Sequence, residues 1–102
     1  MIVLVKANIN TIREICDKHS VAELYLYGSA VKGPYGEKSD LDFAVVFKQS
    51  LSPLEHGDAF FALLDALKAL FNRPIDLVTY RALKNPIFIE ELNNSMVSLY
   101  AA

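Results

Sequence analysis

The sequence predicts one α/β (α+β) domain in which helices pack on a small mixed β-sheet. Two stretches carry apolar residues at helical spacing, residues 9–19 and 53–71. Three short runs, "ELYLYG", "LDFAVVF" and "PIDLVTY", are instead rich in β-branched and aromatic residues. Glycine, proline and asparagine stand at the joints between them. With 102 residues, the chain has room for a single domain, residues 1–102, that buries roughly two thirds of its unfolded surface.

Residues 1–5, "MIVLV", are apolar but far shorter than a membrane span, and they lack a basic leader or a small-residue cleavage site. No membrane association and a cytoplasmic location are expected. In "INTIREICDKH", Ile9, Ile12, Ile15 and Cys16 fall on one side of a helix, with Arg13, Glu14, Asp17 and Lys18 on the other. "ELYLYG" then alternates Leu24 and Leu26 against Tyr25 and Tyr27 until Gly28, as a strand entering a turn does. "LDFAVVF" is a second strand. Ser52-Pro53-Leu54-Glu55 has the form of a capping box with proline at the first helical position, and it opens a helix through about Phe71. Phe60, Leu63, Leu64, Leu67 and Leu70 give that helix its core stripe. "NRP" breaks it, and "PIDLVTY" is a third strand whose leading proline forfeits no ladder bond. Asn85-Pro86 caps a short helix through Leu92, Asn93-Asn94 ends it, and "MVSLY" supplies a last edge strand.

A formal net charge of -2 gives no long-range attraction for a polyanion, so nucleic acid is not expected as the main substrate. A nucleotide held by local groups is compatible with it. Hydrophobic residues make up 53% of the chain, slightly above the soluble average, which fits a partner surface or self-association into a homo-oligomer. Cys16, the single cysteine, excludes an internal disulfide and a multi-cysteine zinc site; its place on the apolar side of the first helix makes it a core thiol. His19 and His56 lie near helix ends, where surface or capping roles are expected.

The chemistry concentrates in "LYGSAVKGPYGEKSDLDFAVVF", residues 26–47. Side chains alternate faces along a strand, so Asp40 and Asp42 point one way and Leu41, Phe43 and Val45 the other. In the third strand Ile75 and Leu77 take the core face and leave Asp76 opposite. Were the two strands neighbours, Asp76 would join the pair. Each close pair of like charges costs about 4 kcal/mol at an effective dielectric near 20, and a divalent cation removes that cost. Oxygen-only ligands suit Mg²⁺ or Mn²⁺. Gly28-Ser29 ends a strand and begins a helix, where free backbone N–H groups and the helix dipole favour a phosphate; Lys32 stands one turn on. Gly33, Pro34 and Gly36 make a flexible turn between phosphate cradle and carboxylates. The plainer readings are a solvated turn with Ser39-Asp40 capping the strand start, and a solubilising Lys32. A P-loop is excluded because Pro34-Tyr35 occupies the positions that need Lys-Ser/Thr.

Gly28-Ser29, ten residues, Asp40-Leu41-Asp42 and then Asp76 in "PIDLV" resemble the motif of polymerase-beta-type nucleotidyltransferases, in particular the minimal, single-domain subfamily of bacteria and archaea. The likeness covers nearly the whole chain and extends to Leu99-Tyr100 near its end. Lys32 departs from the arginine more common in the family, keeping the charge without bidentate phosphate geometry. "NNSMVSLY" departs where many relatives have an acidic residue before the last strand.

The resemblance implies a Mg²⁺-dependent nucleotidyltransferase with two ions on Asp40 and Asp42, Asp76 completing the second and helping to deprotonate an acceptor hydroxyl. Gly28, Ser29, Lys32 and Ser39 would hold the phosphates of ATP. It further implies a protein acceptor: minimal nucleotidyltransferases are commonly antitoxins that silence a HEPN-type RNase toxin by transferring AMP to it. Two alternatives remain open at this point, a non-catalytic antitoxin that neutralises its partner by contact and nucleotidyl transfer to a small molecule such as an aminoglycoside.

Overall fold

In the computed structural model, which describes residues 2–33 and 40–102, the order is α1 (Val3–Ala7), α2 (Ile9–Lys18), β1 (Val21–Tyr27), α3 (Ser29–Lys32), β2 (Leu41–Phe47), α4 (Pro53–Phe71), β3 (Ile75–Thr79), a short 3-10 turn (Tyr80–Ala82), α5 (Pro86–Ser95) and β4 (Val97–Ala101). Ser39 and the turn residues Pro34 and Gly36 lie outside the described residues. The four strands form one mixed sheet in the order β3-β2-β1-β4. β1 runs antiparallel to both β2 and β4, whereas β2 and β3 are parallel neighbours joined by α4. A parallel pair needs such a crossover, and a 19-residue helix provides it.

Local chemistry explains most boundaries. Ser52 Oγ accepts the Glu55 amide and Glu55 Oε1 accepts the Ser52 amide, closing the capping box. Asn72, left-handed at φ 50°, ends α4. Asn85 Oδ1 accepts the amides of Ile87 and Phe88 to start α5.

The sheet is covered on both sides. Leu24, Leu26, Leu41, Phe43 and Val45 face Ile12 and Cys16 of α2 and Leu63, Leu67 and Phe71 of α4. On the other face Tyr27 and Ala44 pack under Leu92 and Phe88 of α5. β2 is therefore buried along nearly all its length, as its near-continuous apolar run requires, and Asp42 is the interruption. Cys16 is fully buried as expected, and burial pushes its thiol up to about 12. His19 is the C-cap of α2, but His56 lies inside the first turns of α4 and caps nothing: its ring stands edge-on to Phe47, 4.9 Å between centroids.

Three elements differ from the sequence expectation. Residues 3–7 form a helix, a single turn too short to show periodicity; Val5 sits in the core and the Ile2 amide bonds the Ala30 carbonyl at 3.0 Å. β1 begins at Val21, whose fully buried side chain pairs with Phe47 across the sheet. α5 continues past Asn93-Asn94 to Ser95, because the Ser95 side chain is anchored by tertiary hydrogen bonding that outweighs the poor helix propensity of asparagine. No described helix is long and apolar enough to cross a membrane.

Candidate active site

Strand register brings the acidic residues to one end of the sheet. Asp42 lies directly opposite Asp76 in the parallel β2–β3 pair and directly opposite Tyr27 in the antiparallel β1–β2 pair. One row across three strands therefore reads Tyr27, Asp42, Asp76. Asp40 is exposed just before β2, Asp42 is half-buried and Asp76 is exposed. The expected meeting of the second and third strands is present.

The charges influence one another. Asp42 is pushed up to about 6, first by burial, then by the neighbouring Asp76 and then by Asp40. Tyr27, buried and standing edge-on to Phe88 of α5, is raised in turn by burial and by the charges of Asp42 and Asp76. An acidic group in this setting favours a bound cation. Among the described residues, however, no three His, Cys, Asp or Glu side chains are gathered closely enough to hold a metal ion as they stand. The register aligns the acidic residues without drawing them into a finished cage.

Gly28 closes the site on the β1 side. Its φ of 75° and ψ of -146° lie close to a region that essentially only glycine occupies. A Cβ built there would stand 2.8 Å from Asp42 Oδ2, so the bare backbone leaves the carboxylate its room. This cradle, together with an all-oxygen donor set, fits a hard divalent cation.

The phosphate cradle differs from expectation in one respect. The Gly28 amide is not free: it donates to Ser95 Oγ at 3.2 Å. α3 is moreover a single turn of four residues, so few peptide dipoles align in it. The amides of Ser29 and Ala30 belong to its first turn, where no helical carbonyl precedes them. Lys32 is exposed at the last position of α3, with its amide on the Gly28 carbonyl. Ser95 and Tyr27 are the neighbours of the site that sequence reasoning missed. The signal that could have found Tyr27 is the period-two alternation that sets it opposite Leu24 and Leu26; its pairing with Asp42 comes from the strand register, and nothing local marks Ser95. A hollow of about 310 Å³ lined by His19, Leu51, Glu55 and Asp58 among others lies at the opposite end of the sheet and contains none of these carboxylates.

A small mixed sheet with Gly-Ser at one strand end and paired aspartates on the next is the architecture of a minimal nucleotidyltransferase. The chain belongs to the polymerase beta nucleotidyltransferase family, whose model matches residues 10–102, and is an enzyme of the nucleotidyltransferase class. It is similar to the protein adenylyltransferase MntA of Thermococcus cleftensis, 35% identical over 75 residues that span 74% of this chain and 72% of that protein. A crystal structure of a toxin-antitoxin with AMP-PNP superposes with a TM-score of 0.72 at 23% identity, covering 93% of this chain and 74% of that one. A tri-AMPylated Shewanella oneidensis HEPN toxin in complex with its MNT antitoxin contains a chain matching at a TM-score of 0.66 and 20% identity, covering 95% and 72%. At these identities the two structures speak for the fold.

Proposed function

We propose that this chain transfers AMP from ATP, with Mg²⁺, to a hydroxyl of a HEPN-type toxin and thereby acts as its antitoxin. The observation that carries the reading is the row of Tyr27, Asp42 and Asp76 beside Gly28. The similarity to MntA adenylyltransferase and to antitoxin chains of HEPN complexes supports the acceptor class.

Asp40, Asp42 and Asp76 are the residues to hold Mg²⁺ or Mn²⁺; Ser39 and Ser29 are phosphate contacts, with Lys32 adding charge. The bound ions supply neutralisation of the triphosphate and of the charge developing at the α-phosphorus. In the transfer itself, the acceptor oxygen forms a bond to the α-phosphorus while the bond to the departing pyrophosphate breaks. Asp76, at the exposed edge of the row, takes the hydroxyl proton. Positioning and charge complementarity provide the catalysis, so no nucleophilic side chain is required, and buried Cys16 is not one.

Incubation with α-labelled ATP, Mg²⁺ and the purified toxin tests this. Label on the toxin that disappears with Asp42→Ala supports the proposal; an unlabelled toxin, or equal labelling by both enzymes, removes it. A second reading, neutralisation by contact alone, draws on the exposed apolar Leu54, Phe61 and Ile87. An Asp40→Ala, Asp42→Ala double variant that still silences the toxin would support that alternative.

A further inference from the structure

We infer that Ser95 is a positioning residue that holds the Gly28-Ser29 turn in register with Asp42 and so governs how tightly the site grips a nucleotide triphosphate; this rests on the nucleotide chemistry proposed above. Ser95 is the last residue of α5, only 8% exposed, and the single buried polar residue among those described. Its one hydroxyl proton goes back to the helix, to the carbonyl of Glu91 or Leu92, each at 3.3 Å. That use is ordinary for a helical serine. The second use is not: the same oxygen accepts the Gly28 amide from 67 residues away.

Gly28 needs such a hold. Its backbone conformation is one that local preference does not select, and α3 behind it is a single turn that cannot stabilise itself. Beside the core packing of the Ala30 side chain, two hydrogen bonds from outside hold the pair: Ser95 Oγ accepts the amide of Gly28, and the Ala30 carbonyl accepts the amide of Ile2. Any displacement of the turn is felt at Asp42, because the open side of the Gly28 Cα faces Asp42 Oδ2. Losing the Ser95 oxygen leaves a partly buried N–H unpaired, and the turn relaxes away from the carboxylate to find another acceptor.

The test compares the full chain with Ser95→Ala, Ser95→Cys and Ser95→Thr, reading amide hydrogen exchange by NMR and Mg²⁺·ATP affinity by calorimetry. Cysteine keeps the volume but accepts weakly, and it replaces alanine if alanine fails to fold; threonine keeps the hydroxyl. Expected for Ala and Cys are exchange at Gly28 faster by about tenfold and Mg²⁺·ATP binding weaker by about tenfold, the scale of one lost buried hydrogen bond. Exchange at Val45 and Leu67 should stay unchanged, and threonine should restore both readouts. Unchanged Gly28 exchange overturns the inference. So does faster exchange with affinity within about twofold of wild type, which makes Ser95 a helix anchor only. Failure of the wild-type chain to bind Mg²⁺·ATP overturns the nucleotide reading and this inference with it, an outcome distinct from a binding wild type that Ser95→Ala merely matches.

Discussion

Replacing Gly28 with alanine tests whether the β1 end is shaped around Asp42. Two costs add. A side chain at φ 75° and ψ -146° occupies strained backbone, worth about 1–3 kcal/mol. The new Cβ also meets Asp42 Oδ2 at 2.8 Å, closer than real contacts allow, and the carboxylate must rotate away. A loss of about 2 kcal/mol lowers the melting midpoint of a domain this size by roughly 8–16 °C. Urea unfolding in EDTA measures it, alone and in an Asp42→Ala background. Because part of the clash belongs to the Asp42 side chain, Gly28→Ala should cost about 0.5 kcal/mol or more less in that background, while the backbone strain remains. A Gly28→Ala chain within about 0.5 kcal/mol of wild type refutes the strain argument. An identical cost in both backgrounds refutes the contact.

Asp42→Asn should stabilise the metal-free chain at neutral pH. The folded pKa of about 6 lies above the ordinary 3.8, so the stability tied to this group is fully present below about pH 4 and is lost as pH rises through 6. A shift of that size corresponds to about 3 kcal/mol, reduced to about 1–2 by solvent screening at a half-exposed site. Urea midpoints in EDTA at pH 4 and 7.5 check the sign; a less stable Asp42→Asn at pH 7.5 contradicts it. Added Mg²⁺ should raise the wild-type midpoint more than that of the variant, since an ion bound only to the folded state stabilises it. Cys16, raised to about 12 by burial, should resist thiol reagents at pH 8 until urea unfolds the chain; fast labelling of the native protein shows the packing of α2 to be looser than described.

Much of this site was legible because its signals are local. The capping box of Ser52 and Glu55 and the apolar stripe ending at Phe71 set α4 within a residue, and spacing alone placed Asp40 and Asp42 at the start of a buried strand. The pairing of Asp42 with Asp76 was a conditional inference, since nothing in "PIDLV" says which strand it joins; the α4 crossover decides it. Ser95 was illegible for the same reason, its partner being 67 residues away. The Gly28 amide was read as free because a glycine turn before a helix ordinarily leaves it so, and only the fold reveals the hydroxyl that takes it. α1 was missed because one turn is too short for periodicity, and its place depends on Val5 entering the core.

Whether the aspartate row works as one catalytic unit is read most simply from AMP transfer to the proposed HEPN-type partner by the wild-type chain and by Asp76→Asn, followed by intact mass. Expected are AMP addition by wild type, dependent on added Mg²⁺, and a rate at least about a hundredfold lower for Asp76→Asn with the fold unchanged. Transfer by Asp76→Asn at the wild-type rate, or transfer undiminished in EDTA, would contradict a single catalytic unit.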